Sequence, residues 1–274
     1  MALVTVSTFA EFLTAIATSG NTIILANDLD ANGYIFTATK TISSDIDGNG
    51  HTIYNLQNDG TNINLFSVSS GRTIKNTNFY NIYCSWGLFN SYGSSGSHVV
   101  IKNCNFQGRV GYFLLGNYVD MSFCAINFTS VNRIMISAAY VNASQCYFNH
   151  GDTATNAVPN GSGNWFYNYN SCKYVDCYFS GKIHITTTGG HEFVAGGGSS
   201  KNCVINVNVD YQGVTSGTFT IGSGFSTGTG ISIFNNSKIT TTLNNSAGNT
   251  QMYPLSDTAM KDRDSIAAVG FPIL

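Results

Sequence analysis

The sequence predicts an all-β fold, a parallel β-solenoid of about eight to ten coils with a capping helix at its N-terminal end and a short helical segment at its C-terminal end. Three observations carry that prediction. Only 9% of the 274 residues are charged, while glycine alone contributes 29; ordinary soluble domains carry about a quarter charged residues. The polar surface is therefore built from amides and hydroxyls, which suit strands and turns better than helices. Helical periodicity is confined to the two ends of the chain, and between them a short motif recurs.

Residues 1–22 read as an N-terminal cap. Phe9, Phe12, Leu13 and Ile16 fall on one helical face, and Thr8 with Glu11 has the spacing of a capping box. Residues 23–255 read as the solenoid. Residues 256–274 read as a C-terminal cap or docking segment: "SDTAMKDRDSIAAVG" is a second helix candidate, stopped by Gly270 and followed by Pro272, and "VGFPIL" is too apolar to leave in water.

The recurring motif is a small or thiol side chain followed two residues later by an apolar one. It occurs as "NTNF" (76–79), "NCNF" (103–106), "FCAI" (123–126), "QCYF" (145–148), "DCYF" (176–179), "NCVI" (202–205) and "NSKI" (236–239), with "HTIYNL" around Ile53 supplying one more. The apolar anchors fall at 53, 79, 106, 126, 148, 179, 205 and 239, and the steps between them are unequal, shortest from 106 to 126 and longest from 205 to 239. A shortest step with variable excess is the pattern of stacked coils with loop insertions, and a propeller blade would keep a fixed period. Alternate residues of a strand point inward, so Cys104 with Phe106, Cys124 with Ile126 and Cys146 with Phe148 belong to the interior.

Asn76, Asn103, Asp176, Asn202 and Asn236 precede the inward pair and are read as corner residues. Asparagine tolerates left-handed backbone, and asparagines stacked one coil apart can hydrogen-bond along the axis. Five of the seven cysteines, Cys104, Cys124, Cys146, Cys177 and Cys203, occupy the same place in the repeat. A single file of thiols one coil apart does not converge on a metal as close spacings such as CxxC do, so they read as a structural ladder of small buried groups. No metal and no cofactor is expected.

Within "SSDIDGNGHTIYNL" (43–56), Gly48 and Gly50 are expected to supply positive φ at a corner, Ile53 and Leu56 to turn inward, and His51 to be a corner side chain. In "DLDANG", Asp28, Asp30, Asn32 and Gly33 match the first half of a calcium loop, but the twelfth position is Thr39, which cannot supply the bidentate acid. A capping turn is the better reading.

These stretches carry a resemblance. "IILANDLDANGYIF", "DIDGNGHTIYNL" and "LFSVSSGRTIKNTNF" resemble the opening of right-handed parallel β-helix proteins of the pectate-lyase-like superfamily, above all the GLUG-type repeats of bacterial surface and phage proteins. The closing "MKDRDSIAAVGFPI" resembles the tail that often finishes such domains. The likeness spans most of the chain, with its distinctive motifs in residues 23–83. It implies a right-handed winding but no single activity, since that superfamily holds pectin-degrading enzymes, phage tailspikes and adhesins.

Between residues 60 and 256 the acids are Asp120, Asp152, Asp176, Glu192 and Asp210. Glycoside hydrolysis needs two carboxylates about 5–9.5 Å apart, and spacing pairs none of these. His150 with Asp152 and His191 with Glu192 remain the best catalytic candidates. The polygalacturonase motifs are missing. No catalytic residue is therefore assigned, and a binding role is expected. Trp165, Tyr167 and Tyr169, after the Gly/Asn-rich stretch 151–164, are candidate ligand-binding residues, with burial in the core as the alternative.

The net charge of −2 gives no basic footprint for nucleic acid. No apolar run approaches the ~18 residues of a membrane span. "MALVTVSTFAEFL" does not read as a signal peptide. The expectation is a bacteriophage virion component (tail, fibre, spike or capsid-decorating) made in the host cytoplasm, non-catalytic and concerned with host-surface attachment. A surface so poor in charge favours association, so a homotrimer, contacts with other virion proteins and a host glycan are the expected partners. A polysaccharide-degrading tailspike lyase or hydrolase and a bacterial surface adhesin are the alternatives.

Overall fold

The computed structural model describes residues 2–131, 133–151, 163–185, 190–195, 198–211, 218–220, 232–235 and 252–271. Its strands stack in parallel register, each coil on the next, in the predicted solenoid. One coil shows the plan. Val99–Lys102 forms a first side, Asn103 turns the chain, Asn105–Asn117 runs along a second and a third side, and Val119–Ser122 returns to lie on Val99–Lys102. Val99 pairs with Val119, so one full turn of the solenoid carries the chain from the first of these residues to the second.

The second side holds the inward column that the repeat predicts. Leu29, Ile53, Phe79, Phe106, Ile126, Phe148, Phe179 and Ile205 pair in succession and are all at most 2% exposed. Phe79 stacks on Phe106 at 5.1 Å, and Phe148 on Phe179 at 5.1 Å. The next partner is Phe234 and not the predicted Ile239; "SIFN" supplies the strand, while "NSKI" (236–239), with Asn236, lies outside the described residues. The first side contributes Ile23, Ile46, Ile74, Ile101 and Met121 to the core. The third contributes Phe66, Phe89, Leu114 and Ile136.

The corners follow the sequence reading and refine it. Asn76, Asn103, Asp176 and Asn202 have φ of 51°, 52°, 53° and 55°, and Phe123 and Gln145 adopt the same left-handed backbone at 55° and 51°. The amides stack as predicted: Asn103 Nδ2 donates to Asn76 Oδ1 at 2.8 Å, and Asn76 Nδ2 to Asp47 Oδ1 at 3.0 Å. In the first such corner the left-handed residue is Asn49 (φ 53°), followed by Gly50 (φ 85°). Gly48, expected at positive φ, is required for a different reason: a Cβ there would lie 2.4 Å from the Asn76 carbonyl oxygen.

All seven cysteines are free and buried. The ladder thiols also do more than fill space. Cys104, Cys124, Cys146, Cys177 and Cys203 each donate to the carbonyl two residues back, at 3.2–3.5 Å. Thr77, in the same place, donates through its hydroxyl to Lys75 at 2.7 Å. The position therefore selects a small buried donor that ties down the carbonyl before a left-handed turn.

At the N-terminal end, Ala2–Val6 pairs with Asn21–Leu25, and the helix Phe9–Ile16 lays Phe9, Phe12, Ala15 and Ile16 over the open core. Phe12 meets Phe66 at 6.4 Å, and the Thr8–Glu11 capping box is formed. At the other end a 3-10 turn, Ala259–Lys261, leads into the helix Arg263–Ala268, which stops at Gly270 (φ 77°). Phe271 then sits beside Gln145, Asp176, Tyr178 and Val204 on the flank of the stack.

Candidate ligand-binding site

Residues that alternate with the core column on the first side stand outward in register. Val100 pairs with Asp120, Asp120 with Asn142, and Asn142 with Lys173. Parallel strands lie about 4.8 Å apart, so these side chains form a row along the solenoid axis. With Met121, Ser122, Ala143, Ser144 and Val175 they line a shallow groove of about 490 Å³.

One rim is built at the corner between the third and first sides. His98 Nδ1 lies 2.9 Å from Asp120 Oδ2, and Asn142 Nδ2 donates to Asp120 Oδ1 at 2.7 Å. A carboxylate only accepts hydrogen bonds, so Nδ1 carries the imidazole proton. Both oxygens of Asp120 are thereby engaged in holding its neighbours. Beside them Tyr118 stacks on Tyr140 with centroids 4.2 Å apart and planes at 11°, and the His98 ring tilts over Tyr118 at 5.4 Å. At the far end Lys173 is exposed and makes no ion pair among the described residues.

A carboxylate, an amide, an ammonium group and two serine hydroxyls beside apolar Val100 and Val175 can hydrogen-bond hydroxyl groups, and the Tyr140 ring next to them can lie against a sugar. The same set is poorly arranged for glycoside cleavage. Asp120 is the groove's only acid among the described residues, its register neighbours being Val100 and Asn142, and acid–base cleavage of a glycosidic bond needs two.

The residues predicted to bind ligand fall elsewhere. Trp165, Tyr167 and Tyr169 lie in the strand Gly163–Val175, where the backbone pairs Phe166 with Ile136 and Tyr167 with Ser137; their side chains lie outside the described residues, as does the stretch 152–162 with Asp152. His150 is buried at 2% exposure, which takes it away from any surface dyad. His191 and Glu192 pair through their backbones with Gly163 and Asn164, and their side chains are likewise outside the described residues. His51 is a corner side chain, 3.2 Å from Asp28. Asp28 also accepts from the Thr52 amide, and Asp30 from Asn32 and Asn55, so "DLDANG" is a turn tied into the next coil. Among the described residues no three His, Cys, Asp or Glu side chains converge as a metal site.

Sequence reasoning missed His98, Tyr118, Asp120, Tyr140 and Asn142 as a group. The available signal was a shared interval: His98 to Asp120, Tyr118 to Tyr140 and Asp120 to Asn142 are separated by the same step that separates the anchors Ile126 and Phe148.

Residues 3–111 match a family described as a "pectate lyase-like adhesive domain". No curated protein matches the sequence. Among solved structures, the crystal structure of a pectin methylesterase from Aspergillus niger in deglycosylated form aligns over 93% of this chain and 84% of its own, at 11% identity and a TM-score of 0.30, which is too loose to bear on activity. The match to the adhesive family lies where the sequence carries its distinctive motifs, and the parallel β-helix predicted from those motifs is the fold found.

Proposed function

We propose that this chain is a non-catalytic attachment protein that holds a surface glycan in the groove of its first side. The observation that carries this reading is the axial row Asp120–Asn142–Lys173 beside the Tyr118–Tyr140 stack: ring faces and hydroxyl-binding groups are present together, and the one carboxylate has both oxygens committed to His98 and Asn142. The adhesive description of the family matched by residues 3–111 supports it. The test is binding of fluorescently labelled protein to intact cells. Asn142→Ala with Lys173→Ala should reduce binding at least tenfold with the far-UV spectrum unchanged; undiminished binding would overturn the groove as the site.

For the setting, we propose the host-attachment apparatus of a phage particle, with the chain as a tail, fibre or capsid-decorating component that acts as a homotrimer. The low-charge surface supports association. The match to an adhesive domain favours a second setting, a bacterial surface adhesin. Immunogold labelling of purified particles and of intact bacteria separates them, and light scattering of the pure protein decides whether it is a trimer.

A further inference from the structure

A second cluster of chemistry lies away from the groove, on the outer surface where the second side bends into the third. The strand Asn78–Tyr92 carries Tyr83 and Trp86 there, the strand Asn105–Asn117 carries Arg109 and Tyr112, and the following coil brings Arg133. Tyr83 pairs in register with Arg109, and the Arg133 amide donates to the Gly111 carbonyl at 3.0 Å. The layers pack closely, since a Cβ on Gly111 would lie 2.4 Å from the Trp86 carbonyl oxygen. The Arg133 guanidinium stands 4.0 Å over the Trp86 ring and 5.7 Å from Tyr112, and Trp86 meets Tyr112 edge-on at 5.4 Å. Arg109 stands 5.7 Å over Tyr83, which is 51% exposed.

Two cations of the early coils are matched to acids, while Lys40 and Lys102 stand over the Tyr34 and Phe123 rings. Arg72 faces Asp45 at 3.9 Å and Lys75 faces Asp47 at 3.0 Å. Arg109 and Arg133 make no ion pair among the described residues, and their guanidinium groups stand against aromatic rings. Stacking fixes the plane of a guanidinium and leaves its edge N–H groups to bind a carboxylate or sulfate in a forked contact. The two arginines come from successive coils, and both guanidinium groups stand over rings of one strand, Tyr83 and Trp86, so two positive charges share one corner of the surface. A polymer that carries negative charge on successive sugars can engage both groups, and the half-exposed Tyr83 ring gives a sugar a surface to lie on.

We infer that this corner is a second binding site, specific for a negatively charged polysaccharide whose carboxylate or sulfate groups are taken by Arg109 and Arg133. It makes no use of the groove and stands whether or not the groove binds glycan. A chain with a net charge of −2 has little general attraction for polyanions, so binding here depends on the local pair.

The test is isothermal titration of the full chain with hyaluronate, dextran sulfate and neutral dextran at low and moderate salt. Binding of hyaluronate, dextran sulfate or both, with dextran silent, is the expected result, and the preferred polymer tells whether the natural group is a carboxylate or a sulfate. Arg109→Gln and Arg133→Gln should each weaken binding at least tenfold, while Lys261→Gln, which removes a cation outside both sites, leaves it within twofold. Arg133→Lys keeps the charge but gives up the planar stacking and fork; it should bind less well than the native chain and better than Arg133→Gln. Each variant is checked by its far-UV spectrum, and Arg109, exposed on the surface, gives the arm that cannot be explained by unfolding. Equal binding of neutral dextran, no binding of either polyanion, or full affinity in Arg109→Gln would overturn the inference.

Discussion

Replacing Asn103 separates the two jobs that the corner residue performs. Its backbone sits at φ 52°, where an alanine costs about 1–2 kcal/mol. Its side chain donates to Asn76 at 2.8 Å, a bond worth about 1 kcal/mol net. Asn103→Ala should therefore destabilise the chain by about 2–3 kcal/mol. Asn103→Gly loses the same hydrogen bond but suits the left-handed backbone; with the extra unfolded-state freedom of glycine its cost should be about 1–2 kcal/mol. Asn105 supplies the control. It donates to Asn78 at 2.7 Å in a neighbouring ladder without positive φ, so Asn105→Ala should cost only about 1 kcal/mol. Urea unfolding followed by far-UV circular dichroism gives the three midpoints at a common slope. The predicted order of stability is Asn105→Ala, then Asn103→Gly, then Asn103→Ala. If Asn103→Ala is no worse than Asn103→Gly, backbone strain is not what selects asparagine at these corners. If Asn105→Ala is as costly as Asn103→Ala, the amide ladder alone accounts for them.

Phe106 is 1% exposed and packed against Phe79, Phe89 and Phe113, so Phe106→Ala should cost about 3–5 kcal/mol, whereas Tyr80→Ala, at a residue 53% exposed, should stay within about 0.5 kcal/mol; equal urea midpoints would contradict the assigned inward column. Burial pushes the thiols of Cys84, Cys104 and Cys172 up to about 12. The unfolded chain then loses these protons first, so stability present below the ordinary thiol value near 9 falls as pH rises toward 12, by about 1.4 kcal/mol per thiol per pH unit; a melting temperature flat from pH 9 to 11 would refute this, as would rapid native-state labelling by a thiol reagent at pH 8. Hydrogen bonds from the Ser7 and Thr8 amides hold the Glu11 carboxyl below its ordinary value. Its contribution to the cap is present above that ordinary value and lost as pH falls through the lowered one, and Glu11→Gln should remove that acid-side dependence from the melting curve.

What was legible in the sequence, and what was not, follows from how a solenoid is held together. Ile53, Phe79, Phe106, Ile126, Phe148, Phe179 and Ile205 could be read directly, because every coil must place one large apolar residue at the same point and most place a buried donor two residues before it. The corner was only half legible. Asn76, Asn103 and Asn202 announce a left-handed turn by residue type, but Phe123 and Gln145 make the same turn with side chains that signal nothing. There the register of the neighbouring coils imposes the backbone. The C-terminal end was mislocated for a related reason: "NSKI" fits the motif, yet the ladder continues through Phe234, ahead of Ile239, since pairing with Val204 and Ile205 and not the motif decides the register.

The groove was the least legible part, because its chemistry is spread one residue to a coil. His98 and Asp120 do not look like a pair in a chain read end to end, nor does Arg133 with Trp86. They become neighbours only when the chain is wound at the local coil length, and that length varies along the stack: the step from Phe79 to Phe106 is the longest of three, that from Phe106 to Ile126 the shortest, and that from Ile126 to Phe148 lies between. A search for acids close in sequence therefore looks in the wrong place. The informative search takes the anchors first and then asks which polar and aromatic residues share an offset from successive anchors. His98 precedes Phe106 by the same offset as Tyr118 precedes Ile126 and Tyr140 precedes Phe148; Asp120 and Asn142 share a second, shorter offset from the latter two anchors. Equal offsets place side chains about 4.8 Å apart along the axis, which is the distance over which hydrogen bonds and ring stacking act. In this fold the proposed binding surface is encoded in the offsets, and the fold that supports it in the anchors.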